Sequence, residues 1–123
     1  MIIDHLGFSV SNYDESKTFF SKALAPLGIS LVMEFKGWAG LGKHGKAEIW
    51  FGQSGPAPGP MHIAFAAESR EQVRQFYAAA LEAGAKDNGA PGIRAHYHPD
   101  YYGAFVIGPD GHNIEAVCHT PDA

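Results

Sequence analysis

Apolar and polar positions alternate along His5-Leu6-Gly7-Phe8-Ser9-Val10, with Leu6, Phe8 and Val10 on one side. A period of two predicts a strand. The pattern then turns helical. Asn12 stands at an N-cap position, with Glu15 where a capping box needs its carboxylate. A helix is expected over about 13–25, stopped by Pro26 and Gly28. Extended segments follow at 29–36 and 47–52, with a weaker one at 38–41.

The same pattern returns 57 residues later, as His62-Ile63-Ala64-Phe65-Ala66-Ala67. Phe19-Phe20 maps onto Phe76-Tyr77 and Ala23-Leu24 onto Ala80-Leu81. An internal repeat at fixed offset decides the architecture before any single residue does. Ser69 caps the second helix with Gln72 completing the box. Val73, Phe76, Tyr77, Ala80 and Leu81 form its apolar stripe, and Gly84 ends it. Extended segments are expected at 93–98, 102–107 and 113–119, with Pro109-Asp110-Gly111 as a tight turn. Each half thus reads strand, helix and three strands. One half alone has too little core to stand. The fold expected is α+β: two tandem βαβββ modules related by a pseudo-two-fold axis, their sheets curving around a cleft. The modules span about 1–52 and about 61–119 of a single domain, joined by a Gly- and Pro-rich linker at about 53–60.

Composition narrows the classes. The chain has 123 residues, 46% hydrophobic and 18% charged, which is ordinary globular usage for one domain. A formal net charge of -4 and no basic block argue against a nucleic-acid partner. No apolar run approaches the roughly 18 residues of a membrane span, and the start lacks the basic region of a signal peptide. Cys118 is the single cysteine, so no internal disulfide is available and a cytoplasmic location is expected.

Strand parity separates core from chemistry. In the first strand His5, Gly7 and Ser9 face away from the core, and in the repeat His62, Ala64 and Ala66 do so. Glu115 shares the open face of the last strand with Asn113, Val117 and His119. Glu48, Trp50 and Gly52 share that of the corresponding first-half strand, and Arg94, His96 and His98 that of the segment 93–98. A single strand histidine is usually a hydrogen-bonded structural residue. Two at equivalent positions, each followed by small side chains that leave room above the sheet, shift the balance toward ligation. Glu115, flanked by Ile114 and Ala116, is costly to bury unpaired, which favours a ligand or a base over a rim carboxylate. Trp50 reads as packing, or as a flat surface for a substrate. Arg94 and His96 read as a solvated face or a substrate rim. His44, His112 and the Tyr101-Tyr102 pair read as loop or turn residues, and Cys118 as a core residue.

The repeated module, the two histidine strand starts and the ending Asp110-Gly111-His112-Asn113-Ile114-Glu115 resemble the glyoxalase/bleomycin resistance/dioxygenase (vicinal oxygen chelate) superfamily over nearly the whole chain. The resemblance implies His5, His62 and Glu115 as ligands of a divalent metal (Zn, Ni, Mn or Fe), with Glu115 as ligand or catalytic base. Trp50, Arg94 and His96 are then the residues that meet the substrate. Glyoxalase I-like members add a glutamate from the strand at 47–52. Aligning Ile49 with Ile114 puts Trp50 at that position, with Glu48 one pleat away as the alternative. Two functions follow from the resemblance. One is a lactoylglutathione-lyase-related, metal-dependent lyase, isomerase or dioxygenase that chelates vicinal oxygens of a small-molecule substrate. The other is a metal-free small-molecule binding or drug-resistance protein. A homodimer is expected, because the family commonly pairs chains and sheet edges seek partners.

Overall fold

Asn12 and Ser69 start the two helices as the sequence anticipates. In this computed structural model, which describes residues 3–121, α1 spans Tyr13–Leu24 and α2 spans Arg70–Glu82. The Asn12 side chain accepts from the Glu15 N–H at 2.9 Å, and the Ser69 hydroxyl from the Gln72 N–H at 3.1 Å. Each bond satisfies one of the helix's orphan donors. Gln72 in turn accepts from the Glu68 N–H at 2.8 Å. α1 tightens into a 3₁₀ turn at Ala25–Leu27 and stops at Gly28, whose φ of 80° an L side chain resists.

Eight strands follow the expected order. They are β1 (Leu6–Ser9), β2 (Ser30–Phe35), β3 (Trp38–Lys43), β4 (Lys46–Gly52), β5 (His62–Ala66), β6 (Lys86–Ile93), β7 (Tyr102–Ile107) and β8 (Asn113–Cys118). They form two four-stranded sheets with the same wiring, β1-β4-β3-β2 and β5-β8-β7-β6. The first and last strands of each half are parallel neighbours, and the remaining pairs are antiparallel.

One continuous core joins the halves. Phe8, Phe20, Phe51, Leu24 and Leu41 contribute from the first half, and Val73, Phe76, Val106, Ile114 and Ala116 from the second. The rings of Phe8, Phe20 and Phe51 lie within 6.3 Å of one another, and α1 packs directly against α2. A further tie is polar: the Ser11 N–H donates to Asp110 at 3.1 Å, and the Ser11 hydroxyl also donates to that carboxylate.

The sequence expectation fails at one strand. Of the segment 93–98 only Ile93 is extended, as the last residue of β6, and residues 94–101 form a loop closed on itself. The Arg94 N–H donates to the Tyr101 carbonyl at 2.7 Å, and the Tyr101 N–H to the His98 carbonyl at 3.0 Å. Gly89, Pro91 and Gly92 argue against a strand in the sequence. They are tolerated because β6 is an edge strand with irregular pairing, where a missing N–H costs no ladder bond. The third strand is also longer than expected, and β8 stops at Cys118, so His119 lies beyond it.

β3 and β4 carry a register shift that matters for the site. Leu41 pairs with Ile49 but Gly42 pairs with Ala47, so Glu48 is the extra residue of a β-bulge.

Candidate functional site

The densest chemistry lies on the face of the second sheet turned away from the core. β5 begins with His62, and β8 carries Glu115 opposite Ala64. Glu115 is only 1% exposed. A carboxylate in that position must find partners or disrupt the fold. It has one on each oxygen: His62 Nε2 lies 2.7 Å from Oε1, and the Tyr101 hydroxyl donates to Oε2. Burial, and then the bond to Glu115 and its charge, push the Tyr101 hydroxyl up to about 12, so the phenol stays protonated and acts as the donor. Gly103 makes this contact possible. A Cβ there would stand 3.2 Å from the Tyr101 ring and 3.4 Å from Glu115 Oε2.

Phe105 pairs with Glu115 on the neighbouring strand, and its ring centroid is 6.2 Å from that of His62. The Arg94 guanidinium sits over the Phe105 ring at 5.3 Å and donates to the carbonyls of Ala90 and Gly92 at 2.8 and 2.9 Å. Arg94 is therefore half-buried and partly engaged in shaping the loop, rather than lying on a strand face. His96 is exposed and stacks on Tyr97 at 4.1 Å. Tyr97 in turn lies 5.0 Å from Tyr101 and Tyr101 lies 5.2 Å from His119, so aromatic rings frame the approach to Glu115.

His5 is placed elsewhere. It is exposed just before β1, with Nδ1 2.8 Å from the Asp4 carboxylate. Lys46 Nζ approaches the same carboxylate at 3.2 Å. The hydrogen bond from His5, followed by that from Lys46, holds Asp4 below its ordinary carboxylate range. Among the described residues no three His, Cys, Asp or Glu side chains form a group that could hold a metal ion. The structure thus brings His62 and Glu115 together and does not bring His5 to them within one chain.

The register answers which first-half residue corresponds to Glu115. Gly7 pairs with Trp50 on the parallel neighbour, just as Ala64, 57 residues on, pairs with Glu115. Trp50 holds the equivalent place. Glu48, displaced by the bulge, lines a cavity of about 410 Å³ together with the core residues Leu41 and Ile49 and with Ile63 and Phe65 of β5. Its shared parity with Trp50, expected from a regular strand, is lost.

Three residues escape the sequence reading. Tyr101 reads as a turn residue, yet it shares an alternation with Gly103 and Phe105 that carries it toward Glu115; that alternation was the available signal. Phe105 was not singled out at all. His112 also reads as a turn residue, but it is 1% exposed, and its Nδ1 accepts from the Met61 N–H at 2.9 Å. Its ring meets Phe8 edge-on at 5.7 Å, and Nε2 has no partner among the described residues. Burial lowers its pKa, opposed in part by Asp110. Nothing in the sequence marks it as the clamp between linker and core.

The family model of the Glyoxalase/Bleomycin resistance protein/Dioxygenase superfamily matches residues 2–116. Among solved structures, a glyoxalase/bleomycin resistance protein from Albidiferax ferrireducens T118 is similar over 98% of this chain and 100% of its own, with 26% identity and a TM-score of 0.83. A glyoxalase/bleomycin resistance protein/dioxygenase family enzyme from Burkholderia phytofirmans PsJN shares the fold at 18% identity, with 95% of this chain and 98% of its own covered and a TM-score of 0.73. A glyoxalase-related enzyme from Fulvimarina pelagi shares it at 12% identity, covering 94% and 86%, with a TM-score of 0.70. No curated protein matches.

Proposed function

The chain belongs to the Glyoxalase/Bleomycin resistance protein/Dioxygenase superfamily, and from that premise we propose that it is a glyoxalase-like enzyme acting on a small oxygenated substrate at the open face of its second sheet. The observation that carries this reading is the buried Glu115 carboxylate held between His62 and Tyr101. A buried carboxylate with one oxygen fixed by a phenol is a positioned proton-transfer group. Tyr101 holds Oε2 and His62 holds Oε1, so a proton taken by Oε1 is exchanged through the His62 ring. His62, with its side chain 53% exposed, links that oxygen to solvent. Arg94, seated on Phe105, supplies positive charge at the substrate rim, and His96 in the 94–101 loop supplies a ring nitrogen there.

A divalent metal of the kind the resemblance implies would be held by His62 and Glu115. Their donor atoms are hydrogen-bonded to each other at 2.7 Å, so to ligate one ion they would part by a few tenths of an ångström and give up the shared proton. Such an ion supplies a Lewis acid for two adjacent substrate oxygens. Among the described residues one chain brings together two of the three donors. The reading therefore includes a homodimer in which the exposed His5 of a second copy completes the set. Calorimetric titration of tag-free protein with zinc, nickel and manganese tests it. Binding lost in His62→Ala, Glu115→Gln and His5→Ala supports the reading, and binding indifferent to all three overturns it.

A second reading has its own support. Trp50 replaces the carboxylate at the position equivalent to Glu115, and both Glu115 oxygens already have partners without a metal. Those facts favour a metal-free small-molecule binding protein. Tight ligand binding that survives chelation, together with no metal uptake, selects it.

A further inference from the structure

We propose that the peptide link Asn88–Gly89 in the edge strand β6 is a self-modification site, where the Asn88 side-chain amide cyclises onto the Gly89 nitrogen and opens to aspartyl and isoaspartyl forms.

Asn88 stands where the pairing of β6 with β7 slips. Asp87 pairs with Val106 and Gly89 with Phe105, so Asn88 is the extra residue of a bulge. It is exposed, and its amide makes no hydrogen bond among the described residues. The other two asparagines are held differently. Asn12 caps α1 and precedes Tyr13, and Asn113 precedes Ile114, so each is followed by a side chain that shields the next peptide nitrogen. Gly89 has none, and its φ of 146° is one an L side chain rarely adopts. The nucleophile also has a base beside it. The Gly89 N–H donates to Asp87 Oδ1 at 2.9 Å, and the Tyr77 hydroxyl holds that same oxygen at 3.0 Å.

The reaction needs only water. The Gly89 nitrogen attacks Asn88 Cγ and passes its proton to Asp87. The N–Cγ bond forms, the Cγ–Nδ2 bond breaks, and the amide leaves as ammonia with that proton. Water then opens the five-membered imide. Opening at Cγ gives aspartate. Opening at the main-chain carbonyl gives isoaspartate, whose backbone runs through the side chain and is longer by a methylene. There is no slack for that carbon. A Cβ on Gly89 would stand 3.0 Å from both Arg94 Nη2 and Phe105 Cδ1, so this backbone already presses on the Arg94–Phe105 pair. Arg94 is seated there by the carbonyls of Ala90 and Gly92. Lengthening the chain at residue 88 displaces those carbonyls and releases the guanidinium from the rim beside Glu115.

The test ages the folded full chain at mildly alkaline pH and maps it by mass spectrometry with fragmentation that separates isoaspartate from aspartate. Asn88 should convert at least about tenfold faster than Asn12 or Asn113 in the same sample. Asn88→Gln, at an exposed position, should stop the reaction, because the larger ring closes slowly. Asp87→Asn keeps an acceptor for the Gly89 N–H but removes the base, and should slow conversion about tenfold. Trypsin reads the consequence. It should cut after Arg94 at least about fivefold faster in the isoaspartyl form than in Asn88→Asp, which carries the new charge without the extra methylene. Conversion of Asn88 no faster than that of the other two asparagines overturns the site, and an unchanged rate in Asp87→Asn overturns the role of the carboxylate. Equal cutting of the isoaspartyl form and Asn88→Asp overturns the link to Arg94. Each readout is made without metal or substrate, so failure here is distinct from failure of the chemistry proposed at Glu115.

Discussion

Trp50 and Glu115 stand at the same place in the two halves of the fold: Trp50 is the strand partner of Gly7, and Glu115 of Ala64. An indole offers a donor N–H and no lone pair to a metal, whereas a carboxylate offers two oxygens. The halves have diverged in chemistry while keeping their wiring.

Replacing the indole should therefore restore what the register leaves out. Trp50→Glu is expected to tighten zinc binding at least tenfold, about 1.4 kcal/mol, because a neutral group becomes an anionic oxygen donor. Calorimetry measures this, and unchanged affinity contradicts it. The wild type should show little isomerisation of the methylglyoxal–glutathione hemithioacetal, and robust turnover contradicts the assignment of Trp50 to this position.

Tyr101→Phe removes the donor to Oε2 of Glu115, a residue only 1% exposed. An unsatisfied buried acceptor costs about 1–3 kcal/mol, so the urea midpoint should fall with an unchanged slope. If the midpoint does not move, Tyr101 does not hold the carboxylate.

His112 should make stability fall in mild acid. Its neutral ring accepts from the Met61 N–H, and burial lowers its pKa from the ordinary 6.5. The unfolded chain therefore binds the proton more readily. The contribution is fully present above pH 6.5 and is lost as pH falls from there through the lower folded value. His112→Asn, whose amide oxygen can accept the same bond, should show a shallower loss over that window in denaturant titrations. Identical slopes for the two proteins contradict this role.

Gly42 marks the bulge that displaces Glu48. A Cβ there would stand 1.8 Å from the Lys46 carbonyl oxygen, a backbone atom that cannot rotate aside. Gly42→Ala should cost at least about 2 kcal/mol. Gly59→Ala, with open space around it, should cost almost nothing.

What the sequence made legible follows from what its patterns encode. The repeat, the caps at Asn12 and Ser69 and the alternation of Leu6, Phe8 and Val10 are local signals, and each survives in the fold. The edge strand β6 was hidden because Gly89, Pro91 and Gly92 read as breakers, and only its place at the sheet's end makes them harmless. Parity put Glu48 beside Trp50 because one inserted residue is invisible until the partner strand is known. The pair His62 and Glu115 was foreseeable because strand parity puts both on the same open face of the second sheet. Tyr101 was not, since its reach depends on how residues 94–101 close into a loop. His5 remains in the other half because it leads into β1 of the first sheet, whereas His62 opens β5 of the second.

On the proposed reading, His62 and Glu115 supply two of the three donors of a site that His5 of a second copy completes. The most direct measurement is the metal retained, per chain, by an equimolar co-refolded mixture of His5→Ala and Glu115→Gln. Each variant alone should retain almost none. Random pairing gives half heterodimers, each with one intact and one doubly altered site, so the mixture should recover roughly a quarter of the wild-type metal. A mixture no better than its parents, or a wild-type monomer that binds metal fully by itself, contradicts the account.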